Sequence, residues 1–173
     1  MKITNSRCTP ESVTNDSNTN KKGTLPVLFS VLHEGQVIPI VPKGTSMCPF
    51  FMGDRDTLYL KRPLYPLKRG DIALYQRENG SHIVHRIHHV QKNNKINLYY
   101  FLGDNQTWIE GPIPEGKIIG VTSYYMRKSK KIDCTSNWKY NLLWRIWMIL
   151  RPLRPQIGHL FSFYYACHSK KKK

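Results

Sequence analysis

The stretch that decides the fold is Lys43-Gly44-Thr45-Ser46-Met47-Cys48-Pro49-Phe50-Phe51, which follows the apolar run Val37-Ile38-Pro39-Ile40-Val41. Gly44 admits a tight bend, and Pro49 fixes φ just past the serine. A hydroxyl on such a bend projects from the fold. Serine is a weak nucleophile until an adjacent base takes its proton. Chemistry at Ser46 therefore requires a base, an orienting carboxylate and room for a peptide.

Beyond Ser46 the chain reads as short strands. Asp56–Lys61 alternates, with Leu58 and Leu60 on one face. Pro63, Pro66 and Gly70 interrupt it, and Asp71–Tyr75 opens the next strand. Asn79-Gly80 is a strong hairpin signal. Residues 82–90 form the following strand, residues 92–95 turn it, and 96–102 and 117–126 continue the series. Ahead of Ser46, Thr24 as N-cap, Pro26 in the first turn and apolar Leu25, Leu28, Phe29 and Leu32 predict a short helix closed by Gly35. Residues 1–23 are polar and predict a disordered tail without a signal peptide or N-terminal span. The fold expected is all-β: a compact, irregular, barrel-like domain over 24–130 between that tail and a C-terminal segment, 131–173.

That last segment changes period. Trp138, Leu142, Leu143, Trp144, Ile146, Trp147, Ile149 and Leu150 predict a helix apolar nearly all round, broken by Arg151-Pro152-Leu153-Arg154-Pro155. Of the net charge of +16, residues 127–173 supply +11, with 12 Lys and Arg against Asp133. Neither apolar piece reaches the ~20 residues of a membrane span. Basic residues alternating with Trp and Leu favour an anionic membrane surface over nucleic acid, with 136–173 lying on it. Packing of this helix on the domain's own core is the plainer alternative. The four cysteines are scattered and predict neither disulfide framework nor zinc site.

Four short boxes stand in order: Gly44-x-Ser46-Met47-x-Pro49, Gly70-Asp71-Ile72, His85-Arg86-Ile87 and Gly103-Asp104-Asn105. Together they resemble the boxes of the type I signal peptidases and their LexA-like β-ribbon relatives, over about Gly35 to Arg127. The resemblance implies a peptidase-type fold and a serine endopeptidase without cofactor or metal, with Ser46 as nucleophile. His85 stands at the base position, as in the endoplasmic-reticulum and sporulation-type branch. A neutral imidazole accepts a proton near pH 7, so activity is expected to fall as pH drops through about 6.5.

The carboxylate orienting His85 is either Glu110, near the place where His-type relatives carry Asp, or Asp104, which also reads as a turn residue. The Ser46 backbone N–H is the natural oxyanion donor, with Gly44 and Thr45 shaping the turn. Met47 and Phe50 either line a peptide pocket or pack in the core. His82, His85, His88 and His89 invite a metal reading, but strand parity separates them and no Cys or carboxylate stands at ligand spacing. Asp71 reads as a turn residue, and Arg86 as the partner of a carboxylate or a sheet edge.

The chain resembles the small peptidase-like bacterial members of this superfamily. The expected activity is cleavage of a leader or precursor peptide at the inner membrane face. Two alternatives remain: a self-cleaving or DNA-associated LexA-like protein, and a catalytically silent peptide-binding module. Residues 1–35 are too short and polar for a helix-turn-helix domain, which counts against the first.

Overall fold

The computed structural model describes residues 36–93 and 96–154. The expected tail over 1–23, the helix over 24–35 and the segment 155–173 lie outside the described residues. Eight strands follow one another: β1 (Ile38–Ile40), β2 (Asp56–Lys61), β3 (Ile72–Gln76), β4 (His82–Asn93), β5 (Ile96–Leu102), β6 (Glu110–Pro114), β7 (Ile118–Arg127) and β8 (Lys130–Asp133). Helix α1 (Trp138–Ile149) comes after them.

All eight strands join one sheet in the order β1-β2-β7-β3-β4-β5-β6, with β8 also on β7, and every pairing is antiparallel. The mostly-β architecture expected from the alternation is therefore what forms. Among the described residues β1 and β6 end the path and no ladder joins them, so the sheet is open where a barrel was expected. Strand β4 runs on to Asn93, paired with Ile96, because ladder bonds carry the hairpin through polar residues. Neither β6, with two prolines, nor the Lys-Lys-Ile-Asp of β8 alternates strongly enough to be read in advance.

The central strand explains the core. Ile72 and Leu74 of β3 face a cluster holding Leu58, Leu60, Phe50, Phe51 and Leu102. Ala73 and Tyr75 face the other, with Ile87, Tyr99, Phe101 and Val121. Burial on both faces makes β3 read as an apolar run instead of an alternation.

Helix α1 closes the first face. The Asn137 side chain caps it by accepting from Tyr140 N at 3.1 Å. Tyr140, Trp144 and Met148, four residues apart, turn inward and are buried. The indole of Trp144 lies on Gly70, where a Cβ would stand 2.2 Å from the ring and φ is +99°. Only glycine meets both conditions.

Under α1 lies Arg86, wholly buried on β4. Its Nε and Nη2 donate to the two Asp104 carboxylate oxygens at 2.9 and 2.7 Å. Nη1 donates to Gly70 O at 3.0 Å, and Nη2 to the Tyr140 hydroxyl at 3.0 Å. The rings of Phe50, Tyr140 and Trp144 enclose the guanidinium at 5.1 to 5.5 Å. A buried charge stripped of its partner is costly. Asp104→Asn is therefore expected to lower the unfolding free energy by about 3–5 kcal/mol. A urea melt checks this, and an unchanged midpoint would contradict the assignment.

Candidate active site

The serine loop is built from its backbone. Gly44 has φ +84°, a conformation that side chains resist. Cys48 N donates to Thr45 O at 3.1 Å, Phe50 N to Met47 O at 3.1 Å and Gly53 N to Gly44 O at 2.8 Å. Asp56, buried at the start of β2, accepts from Met52 N at 3.0 Å and from Arg55 at 2.9 and 2.7 Å. Burial opposes its charge, but the bonds from Arg55 and Met52 hold its carboxyl below the usual value. Arg127 reaches the same carboxylate and the Phe50 carbonyl. From the opposite side Asn105 N donates to Ser46 O at 2.7 Å. The loop is clamped at both ends, leaving the half-buried Ser46 side chain free to meet β4.

It meets His85. Ser46 Oγ and His85 Nε2 stand 3.2 Å apart across 39 residues of sequence. The pair opens on a groove of about 440 Å³ whose walls include Gly44, Met47, Val84 and Gln106. Ile40, the last residue of β1, and Val41 to Lys43 after it form one flank.

The other face of the imidazole is occupied by a residue that sequence reasoning missed. His85 Nδ1 lies 3.3 Å from the Tyr75 hydroxyl. Ala73 pairs with His85 and Tyr75 with Ile83, so Tyr75 and His85 are diagonal neighbours on one face. Tyr75 stacks on Phe101, with centroids 4.2 Å apart. Phe101 in turn pairs with Glu110 of β6. Glu110 accepts from Arg77 Nε and Nη2, both at 2.5 Å. Arg77 was missed too. It stands at the mouth of the Asn79-Gly80 hairpin, where Gly80 N donates to Arg77 O at 2.9 Å. The signal was present: a hairpin turning at Asn79-Gly80 brings Tyr75 and Arg77 beside the His85 strand.

The charges follow from this geometry. Burial lowers the His85 pKa to about 4, with Glu110 raising it and Arg77 lowering it. The imidazole is therefore neutral at pH 7 and able to accept a proton. The acid limb expected near 6.5 moves down accordingly. The two hydrogen bonds from Arg77, with the nearby Tyr75 hydroxyl adding to them, hold Glu110 below its ordinary pKa against its partial burial. Burial, reinforced by Glu110, pushes the Tyr75 phenol up, so it keeps its proton.

The remaining candidates fall into place. Asp104 is committed to Arg86, so it does not orient His85. Glu110 stands on the His85 side but makes its direct bonds to Arg77. Met47 is both buried and part of the groove wall. Phe50 is buried against Arg86 and Tyr140 and lines no part of the groove. Asp71 accepts from Lys68 N at 2.8 Å in a turn, as expected. The expected parity of the histidines is broken by a bulge between Ile87 and His89. It brings the His88 and His89 rings edge to face at 5.1 Å. Among the described residues no three His, Cys, Asp or Glu side chains group as a metal would require.

Two titrations follow. The His85 ring signals, followed by NMR, are expected to titrate near pH 4. Neutral burial of His85 thus contributes stability that is full above about 6.5 and lost as pH falls towards 4. Arg77→Met removes a cation that lowers this pKa and leaves Glu110 uncompensated, so the titration should move to higher pH. An unmoved midpoint would show that neither charge is felt at the ring.

No protein-family model matches the chain, and no similar curated protein or solved structure was found. The chemistry of the site rests on its own geometry.

Proposed function

We propose that this chain is a serine endopeptidase of the signal peptidase and LexA type, cleaving a leader or precursor peptide with Ser46 and His85. The observation that supports it is the 3.2 Å approach of Ser46 Oγ to a neutral imidazole at the mouth of an open groove. An extended peptide laid along Ile40 to Lys43 brings a scissile carbonyl over Ser46. As Oγ attacks, its proton passes to His85 Nε2. The oxyanion draws on the Ser46 backbone N–H, and the residue two before it, Gly44, offers no side-chain donor. His85 then gives the proton to the leaving amine, and water, deprotonated by the same ring, releases the acyl group.

The burial that keeps His85 neutral also penalises the imidazolium formed in this step. Glu110 offsets part of that penalty, since its charge favours the protonated ring. Its pairing with Arg77 limits how far.

We place the enzyme at an anionic membrane surface. No helix among the described residues is long and apolar enough to cross a membrane. Yet α1 is apolar on both sides: while Tyr140, Trp144 and Met148 face inward, Trp138, Leu142, Ile146 and Ile149 form an exposed stripe opposite them. Lys139 and Arg145 flank that stripe, and residues 134–173 contain no acid. Apolar insertion with basic flanks suits a lipid interface.

Two experiments test these readings. Incubated with a peptide library and followed by mass spectrometry, the wild-type chain is expected to cleave, and Ser46→Ala and His85→Ala alike to abolish cleavage. Cleavage that survives either change rules out the dyad. A chain that binds peptides without cutting them is the silent module, and one that cuts only itself is the LexA-like alternative. In flotation assays the protein should bind phosphatidylglycerol-containing vesicles, and Leu142→Glu/Ile149→Glu should lose them. Tight DNA binding without vesicle binding would overturn the membrane placement.

A further inference from the structure

The Ser46–His85 pair is productive in only one tautomer. A neutral imidazole carries one N–H, and the Ser46 proton can be accepted at Nε2 only if that hydrogen sits on Nδ1. In the familiar arrangement a carboxylate bonded directly to Nδ1 enforces this. Here the group at Nδ1 is the Tyr75 hydroxyl, at 3.3 Å. The Glu110 carboxylate is bonded to Arg77, and Glu110 is the strand partner of Phe101, on which Tyr75 stacks.

A phenol has a single proton to give. Directed at His85 Nδ1, it would force the ring hydrogen onto Nε2 and turn it at Ser46 Oγ, leaving no base. Directed at Glu110, it leaves the phenol oxygen as acceptor for an Nδ1–H, and the Nε2 lone pair faces the serine. We infer that Glu110 sets the His85 tautomer through Tyr75, so that Ser46 Oγ–H, His85, the Tyr75 hydroxyl and the Glu110 carboxylate form one chain of hydrogen bonds donated in the same direction.

Three features support that direction. A carboxylate is the stronger acceptor of the two, and charge-assisted bonds are roughly twice as strong as neutral ones. The two groups also influence each other: the nearby phenol helps hold Glu110 ionised, while burial and Glu110 keep the Tyr75 proton in place. The parts are also held rigidly. Tyr75 is fully buried and stacked on Phe101, the strand partner of Glu110, and two bonds from Arg77 fix the carboxylate. Tyr75 lines no part of the groove and bonds the imidazole on the side away from Ser46, so its role is positioning. The assignment builds on the peptidase reading but makes a claim about the resting ring that stands apart from turnover.

The test uses the full chain, 15N-labelled, with long-range 1H–15N spectra of the His85 ring above its pKa. Wild type is expected in the Nδ1–H form. Tyr75→Phe keeps the ring stack and removes the hydroxyl, and it should yield a mixture of tautomers. Glu110→Ala keeps the hydroxyl and frees its proton, and it should shift the ring towards Nε2–H. In the peptide-library assay both variants should lose about 10²-fold in kcat with KM little changed. An Nε2–H ring in wild type, or identical tautomers in all three proteins, overturns the inference even if wild type cleaves. The predicted tautomer changes in a chain that cleaves nothing would uphold the relay and sink the peptidase reading instead.

Discussion

One guanidinium joins three of the four sequence boxes and is covered by the loop that carries the fourth. Arg86, from the His85 box, is bonded to Asp104 of the Gly103 box and to the carbonyl of Gly70, and it is covered by Phe50 from the serine loop. Tyr140 and Trp144 of α1 complete the enclosure. A charge buried this deeply is tolerated only when it is paired and hydrogen-bonded, so the surrounding backbone has little freedom to drift. Two consequences reach the site. Arg86 is the neighbour of His85 on β4, so fixing one fixes the strand that carries the other. Asp104 is held beside Asn105, whose N–H grips the Ser46 carbonyl.

The serine loop is thus held from two directions by separate ion pairs. Asp56, with Arg55 and Arg127, secures the C-terminal side of its turn. The Arg86–Asp104 pair secures the side towards β4. Between them a serine and an imidazole approach without a direct carboxylate partner. Burial keeps the imidazole neutral, and the charges that would protonate it or repel a proton sit one residue away, as a matched Glu110–Arg77 pair. In the proposed peptidase, this arrangement makes His85 a ready base but leaves its imidazolium in need of help when it forms.

Much of this was legible because the boxes are made of residues with narrow physical uses. Gly44 marks a tight bend, which the structure realises as a positive φ, and Arg86 asks for a carboxylate, which proves to be Asp104. That Gly70 makes room for an indole was not legible, because Trp144 lies far along the chain. The Asn79-Gly80 turn was legible as a hairpin, and its register sets Tyr75 and Arg77 beside His85, although neither was read from it. What was not legible depended on contacts between distant strands. Whether Glu110 or Asp104 served His85 turned on where Arg77 and Arg86 pointed. Parity alone misplaced His89, because a bulge adds a residue where the pattern shows none. Helix α1, apolar all round, gave no direction from its hydrophobicity. Its Asn137 cap and the spacing of Tyr140, Trp144 and Met148 identify the inward face only once the sheet is in view.

The central claim is that Ser46 becomes acylated with His85 taking its proton. Its most direct test is to quench the protein in acid during turnover of a peptide it cleaves, then map the bound acyl fragment by mass spectrometry. The account predicts an ester on Ser46, absent when His85 is replaced by alanine. Cleavage that proceeds with no ester on Ser46, or with one that forms equally well without His85, would contradict it.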